Sequence, residues 1–356
     1  MLEIVNSEIR KILKNKKILL FVFFILVYEI IQCKYEAKGI LGRISESDKE
    51  YLKGYYKEWG GKLDKKKINS IEDYKRKIEE AYNSDDYNRL IDKQITIDEY
   101  HNLVKERKDL TKQKHIFDHF YGEYLYVSKD NSRGLTDTDT WEYILSRNNV
   151  DYLLVILLIV VTIQIFDNER GSIKSVVIAT VKGRRNIAIS KILVDILITI
   201  FLGLIVEIVM LITLAISGYS LEGHSVSLQS IMKFEEINRT ISIKSTYIIT
   251  VGYKILGYIY VSNIAMFLYA MFKKSNIAFG ATMLMILAPV YIYDDLTKLM
   301  HIPLPMGMMM GTYFWVDSAR IKIIIPEIII VLLVVLNYYY YVNSYKGYKK
   351  RIRYES

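Results

Sequence analysis

The sequence predicts an all-α membrane protein with six transmembrane helices, both ends in the cytoplasm, and a helical extracytoplasmic domain inserted after the first span. Three observations lead there. Of 356 residues, 51% are hydrophobic and 24% charged, and the two kinds are segregated into long apolar runs and one densely charged block. Six of the runs approach the ~20 residues a helix needs to cross a hydrocarbon core of ~30 Å. Lys and Arg crowd alternate short loops, eighteen against six, which is the asymmetry of cytoplasmic over outer loops.

Residues 1–17 place Leu2, Val5, Ile9, Ile12 and Leu13 on one helical face and Glu8, Arg10, Lys11 and Lys14 elsewhere. Such a helix lies on the cytoplasmic membrane surface; a soluble cap on the first span is the competing reading. Span 1 is residues 18–33. It ends in Ile30, Ile31, Gln32, Cys33 and Lys34 with no small-x-small cleavage site, so it is read as an uncleaved span and not a signal-peptide core.

The block 34–149 holds 23 basic and 23 acidic residues, so the net charge of +9 sits beside the apolar runs. Ser70 with Asp73 and Thr96 with Glu99 fit the capping-box spacing. Ile71, Tyr74, Ile78 and Tyr82 recur at helical spacing, as do Tyr100, Leu103, Val104 and Leu110. Two or more amphipathic helices packed as a hairpin follow, with another helix from 136–140 towards the second span. Tyr121, Tyr124 and Tyr126 read as core of this domain. The lone cysteine, Cys33, excludes an intrachain disulfide, so packing alone must hold the block together.

Span 2 (150–166) leads to a cytoplasmic loop (167–186), span 3 (187–217), an outer loop (218–245) with Glu222, Glu235 and Glu236, and span 4 (246–272). A tight turn at Lys273 and Lys274 opens span 5 (276–293). The outer loop 294–322 carries Pro303, Pro305, Gly307 and Gly311 among methionines, too apolar for a solvated loop, and reads as partly re-entrant. Copper binding by Met306, Met308, Met309 and Met310 is the bolder reading of those thioethers; apolar filler is their ordinary use. Span 6 (323–343) opens with Pro326 and Glu327, suited to a helix start, and a basic tail (344–356) follows.

Ionisable residues within spans mark function, because charge in lipid is costly. Glu207 and Lys254 fall at similar depth on sequence-adjacent antiparallel helices, so they are expected to pair across the interface; independent snorkelling to the outer surface is the alternative. Asp195 and Lys191 lie nearer the cytoplasmic edge and are expected to be hydrated. The helical pair His115 and His119 could hold a metal given a further ligand, though solvated helix residues are the simpler reading.

No G-x-x-x-x-G-K-[ST], H-E-x-x-H or G-x-S-x-G sequence is present, which leaves no such route to ATP hydrolysis or hydrolase chemistry in this chain. No basic stripe with interleaved aromatics points to nucleic acid. The abundance of Ile, Lys, Asn and Tyr fits an AT-rich genome and the cell membrane of a Gram-positive bacterium.

The loop Ile165-Phe166-Asp167-Asn168-Glu169-Arg170-Gly171-Ser172-Ile173-Lys174, continuing through Val181-Lys182-Gly183-Arg184-Arg185 to Lys191, resembles the first cytoplasmic loop of ABC-2 type transporter permeases. There an acidic residue, Gly, a short helix, a small-residue break, Arg and Lys follow the second span. Thr180 stands where the family often has Thr-Pro, and no proline follows it. The stretch Ser7-Glu8-Ile9-Arg10-Lys11-Ile12-Leu13-Lys14 is similar to the family's amphipathic start. The resemblance covers about 240 residues and not the 34–149 insert. It implies a separate ATP-binding subunit, carrying ATP and Mg, docked under a coupling helix at 169–182. Glu169, Gly171, Ser172 and Lys174 would shape that loop, with Arg184 and Arg185 at the cytoplasmic interface, and a second permease chain would complete the pore. A peptide, antibiotic or lipid-like molecule would be exported. A membrane sensor or immunity protein that binds an extracellular ligand through 34–149 is the alternative, and a membrane enzyme at His115 and His119 a third.

Overall fold

The described residues are mostly helical, and their extended pairing is confined to two isolated bridges, Gly61 with Leu135 and Ser227 with Ser242. The computed structural model describes residues 2–41, 46–83, 91–92, 96–147, 150–167, 180–235, 237, 241–292, 305–309 and 319–352. The helices are α1 (Leu2–Lys14), α2 (Lys16–Leu41), α3 (Glu46–Trp59), α4 (Lys65–Tyr82), α5 (Ile97–Ser128), α6 (Asp139–Ser146), α7 (Tyr152–Asp167), α8 (Val181–Ile216), α9 (Ile243–Phe272), α10 (Ser275–Ile292), α11 (Pro305–Met309) and α12 (Ala319–Ile352). Three of them are long and apolar enough to cross a membrane: Lys16–Gly39, Val181–Ile216 and Ile243–Phe272. Shorter apolar helices occupy Tyr152–Phe166, Ser275–Pro289 and Glu327–Asn343.

The chain divides into two units. The first comprises Met1–Tyr35, Leu145–Ser217 and Tyr247–Ser356. Its core is α7, whose Leu154, Val155, Leu157, Leu158, Ile159 and Val161 are all almost wholly buried. The surrounding helices are apolar on their outer faces too. On α8, Leu197, Phe201, Leu204, Ile208 and Ile212 are exposed at helical spacing, and α12 does the same with Ile328, Val331, Leu332 and Val335. Water would not tolerate continuous stripes of this kind; hydrocarbon does. The α1 helix packs Ile4, Val5, Ile9 and Ile12 into the same core. Asn15 then breaks it from α2, its side chain accepting from the Lys17 amide at 3.1 Å and donating to Gln164 at 3.0 Å.

The second unit comprises Glu36–Ile144 and Gly218–Thr246. Helices α3, α4 and α5 pack around Tyr55, Trp59, Ile71, Ile78, Phe117 and Phe120, with Tyr55 stacked on Trp59 at 5.6 Å and edge-on to Phe117 at 5.4 Å. Gln113 accepts the hydroxyls of both Tyr55 and Tyr74 at 2.8 Å, which satisfies two polar groups at the rim of an aromatic core.

Several boundaries differ from the sequence reading. The residues 218–245, expected as a separate outer loop, belong to the same unit as the insert: Trp141 donates to the Glu222 carbonyl at 2.8 Å, Tyr126 to the Gln229 carbonyl at 2.9 Å, and Arg133 pairs with Glu235 at 3.1 Å. Ser70 does not start a helix, because Asp64 caps α4 six residues earlier by accepting from the Lys67 amide. Thr96 and Glu99 do form a capping box. Of the recurrence at Tyr100, Leu103, Val104 and Leu110, only Leu110 packs against the aromatic core; Val104 is 42% exposed, and the fully buried face of α5 begins at Ile116. Helix α8 begins at Val181, not 187, because Thr180 caps it by accepting from the Gly183 amide at 3.0 Å. Helix α12 begins at Ala319, so Pro326 and Glu327 lie inside it. The Lys273–Lys274 turn is tight because Lys273 adopts the left-handed conformation at φ 52°.

Within the expected 294–322 loop, α11 is wholly buried: Met306, Met308 and Met309 are at most 1% exposed. It seats against Gly257 of α9, where a Cβ would meet the Met309 amide nitrogen at 2.9 Å. The thioethers are packing groups in the first unit's core; Met310 lies outside the described residues. Gly257→Ala should lower the thermal midpoint in detergent, at a cost of about 1–3 kcal/mol from overpacking. Gly252→Ala, on the same helix with open space around it, should raise it by about 0.5–1 kcal/mol through helix propensity.

Candidate functional site

Gly203 of α8 leaves room for side chains of α9; a Cβ there would meet Ile255 and the Tyr258 ring at 3.3 Å. One turn beyond Gly203 stands Glu207, and one turn before Tyr258 stands Lys254. The structure brings them together, Lys254 Nζ lying 2.8 Å from Glu207 Oε1 with side-chain exposures of 9% and 7%. Tyr247 donates its hydroxyl to the other carboxylate oxygen at 3.2 Å. A carboxylate buried this deeply is tolerated when paired and hydrogen-bonded on both oxygens.

Further ionisable groups join this pair. Arg147 Nη1 reaches Glu29 Oε1 at 2.5 Å, both side chains under 10% exposed. Tyr258 donates to Asp151 at 3.3 Å, and Asp151 lies within electrostatic reach of Glu29, Arg147, Lys254 and Glu207. The buried side chains of Glu29, Arg147, Glu207 and Lys254 and the half-buried Asp151 thus form one cluster of three acids and two bases. The sequence reading missed Glu29, Arg147 and Asp151. Glu29 carried a signal, since it is an acid inside the first apolar run.

A second buried polar set lies towards the other end of α8. Lys191 is fully buried and donates to the Ile165 carbonyl at 2.7 Å, with its ammonium 5.3 Å from the Phe166 ring. A cation on the last carbonyls of α7 is well placed against the helix dipole. Asp195, 1% exposed, accepts from Thr162 at 2.6 Å, and Asn337 of α12 donates to Asn263 of α9 at 3.1 Å. The expected hydration of Lys191 and Asp195 is therefore corrected. Both are enclosed by α7 and its neighbours, which the sequence gives no means of placing around them.

Of the expected coupling residues, Glu169, Gly171, Ser172 and Lys174 lie outside the described residues. Arg184 is buried and Arg185 exposed, so these two arginines face different surroundings. His115 and His119 are both exposed. His119 lies 3.7 Å from Glu123, and no group of three metal-ligating side chains occurs among the described residues. No protein-family model, curated protein or solved structure matches this chain.

Glu207→Gln and Lys254→Met should each destabilise the first unit by about 3–5 kcal/mol, the cost of leaving one buried charge unpaired. The exchange Glu207→Lys with Lys254→Glu should recover most of that loss, read as the unfolding midpoint in detergent. Singles that match wild type would mean the pair is solvated and carries no stability.

Proposed function

We propose that this chain is the membrane-spanning permease subunit of an ATP-binding-cassette exporter, driven by a separate ATP-binding subunit that carries ATP and Mg. The observation that supports this best is the frame around residues 168–179. Thr180 caps the helix that follows that segment. Lys191 clamps the end of the helix before it, and Asn15 ties the α1–α2 elbow to Gln164 of the same helix end. A push on the segment would move α7 and α8 together. That is what a coupling loop in a cleft of an ATP-binding subunit requires, and it agrees with the resemblance carried by Glu169, Gly171, Arg184 and Lys191.

In this reading α2, α7, α8, α9, α10 and α12 are the six spans. The N-terminal helix and the 168–179 segment are cytoplasmic, and the second unit is extracytoplasmic, in the cell membrane of a Gram-positive bacterium. A second permease chain, identical or different, completes the translocation path, and lipid covers the apolar faces of α8 and α12. The cargo is a peptide, antibiotic or lipid-like molecule. ATP hydrolysis belongs to the partner subunit. The alternative of a ligand-binding sensor or immunity protein draws support from a cavity in the second unit.

The test is purification of the tagged chain from its native host in a mild detergent, with mass spectrometry of co-purifying proteins. A stoichiometric ATP-binding subunit is expected, lost on combined Glu169→Ala and Gly171→Pro substitution while the chain keeps its thermal midpoint. A chain that remains alone in several detergents would overturn the transporter reading.

A further inference from the structure

The second unit contains a cavity of about 390 Å³. It lies between the Asp118–Val127 stretch of α5, the segment from Leu135 to Glu142, and the turn carrying Ser230 and Met232. Its apolar wall is Val127, Leu135, Met232 and the Tyr126 ring, and four carboxyl groups line the rest: Asp118, Glu123, Asp139 and Glu142.

Their neutralisation is uneven. Asp118 is paired with Lys75 at 2.6 Å and Lys114 at 3.8 Å. Glu123 accepts the Tyr56 hydroxyl and has His119 at 3.7 Å. Asp139 and Glu142 have no ion-pair partner within 4.0 Å among the described residues. The cations that reach them act at longer range, His119 on Asp139 and Lys233 on Glu142. Thr138 also lines the cavity. It is only 9% exposed, and its hydroxyl has no hydrogen-bond partner among the described residues. That hydroxyl opens onto the cavity beside two carboxylates with no close cation, and a cationic donor held there would answer both.

We propose that this cavity binds a cationic organic ligand, an ammonium or guanidinium group carried on an apolar body. The carboxylates of Glu123, Asp139 and Glu142 take the charge, Thr138 supplies a further acceptor, and Val127, Leu135 and Met232 take the body. A bare metal ion fits less well, since one side of the site is apolar and no three ligating side chains converge among the described residues.

The protonation of these groups gives the site a pH signature. Burial pushes the Glu123 carboxyl up to about 8, and the charges of Asp139, Asp137 and Glu142 push the same way. Burial also raises Asp139 and Glu142, and burial and Asp139 raise Asp137 to about 6. The other charged and titratable groups around the site are Tyr56 and Lys53 of α3, Lys75 of α4, Lys114 of α5, and Glu222 and Lys233 of the second loop. A cation binds the ionised acids, so affinity rises with pH through the range in which Glu123 gives up its proton. Without ligand the sign is opposite for stability. An acid whose folded pKa lies above its unfolded value costs nothing below about pH 4 and costs progressively more up to about pH 8.

The binding needs no ATP-binding partner, so its failure would leave the transporter reading to the co-purification result; only the side of the membrane on which the cavity opens rests on that reading. The test is calorimetric titration of the full chain in lipid nanodiscs with N-acetyl-Lys-Phe-amide. The neutral counterpart N-acetyl-norleucyl-Phe-amide and Ca²⁺ alone are the comparison ligands. Binding of the lysine probe should tighten about tenfold from pH 6 to pH 8.5, weaken at least about tenfold in Asp139→Asn with Glu142→Gln, and lose most of its pH dependence in Glu123→Gln. The exposed Glu80→Gln should leave it unchanged, and all variants should keep the wild-type thermal midpoint at pH 5. No binding of the lysine probe, equal binding of the norleucine probe, or its displacement by stoichiometric Ca²⁺ would overturn the proposal.

Discussion

Burying charge in an apolar helix bundle sets the terms for the first unit. The side chains of Glu29, Arg147, Glu207 and Lys254 are removed from bulk water by neighbours that are otherwise aliphatic or aromatic, with the half-buried Asp151 beside them. Each would be prohibitive alone, since an unpaired ion in such surroundings costs several kcal/mol even after relaxation. Together they are tolerated because every charge has an opposite one within reach and the tyrosines 247 and 258 supply donors. The pairs cross between helices, so the cluster fixes which faces of α2, α8 and α9 meet. Apolar packing alone would leave those rotations degenerate, because leucine and isoleucine cover both the inner and outer faces of α8.

Room left at glycines is the second constraint, and it works with the first. Gly203 makes room for the Ile255 and Tyr258 side chains between α8 and α9, and Lys254 reaches Glu207 at 2.8 Å beside them. Gly257, one residue before Tyr258, opens the other side of α9 to α11. The two glycines therefore let α9 serve as a shared wall, with the ion pair on one side and the buried methionines on another. Met is suited to the second wall, since its unbranched thioether fills an irregular gap without demanding a polar partner.

Much of this was legible from residue pattern, and the parts that were not share a cause. Helical class, the apolar segments and the Glu207–Lys254 juxtaposition follow from periodicity and from counting residues along neighbouring helices. The Thr96–Glu99 cap is local and equally readable. Ser70–Asp73 has the same spacing but was misleading, because a capping box is only one of the uses of Ser and Asp, and Asp64 with three lysines after it makes the earlier start. The union of 36–144 with 218–246 could not be read, since it rests on contacts such as Arg133–Glu235 and Trp141–Glu222 between segments about a hundred residues apart. The cavity was hidden for the same reason: its acids come from α5 and α6 and its apolar wall partly from the second loop. In sequence those acids sit in a block of balanced charge, and only the fold shows that Lys75 and Lys114 both engage Asp118, leaving Asp139 and Glu142 without a close cation among the described residues.

The two polar sets on α8 explain how one helix could carry a mechanical signal. Asp195 and Glu207 are twelve residues apart, about 18 Å along the axis at ~1.5 Å per residue. Each is tied to a different neighbour, Asp195 to Thr162 of α7 and Glu207 to Lys254 of α9. Between these ties the helix presents small or aliphatic contacts that slide more easily than ion pairs break. A displacement applied near Thr180 would travel along α8 as rigid-body motion until it met the Glu207–Lys254 contact. There it must either carry α9 along or separate a buried pair at a cost of about 3–5 kcal/mol. A penalty of that size favours movement of α8 and α9 as one body, so rearrangement would concentrate at the softer apolar seam of α8 against α12.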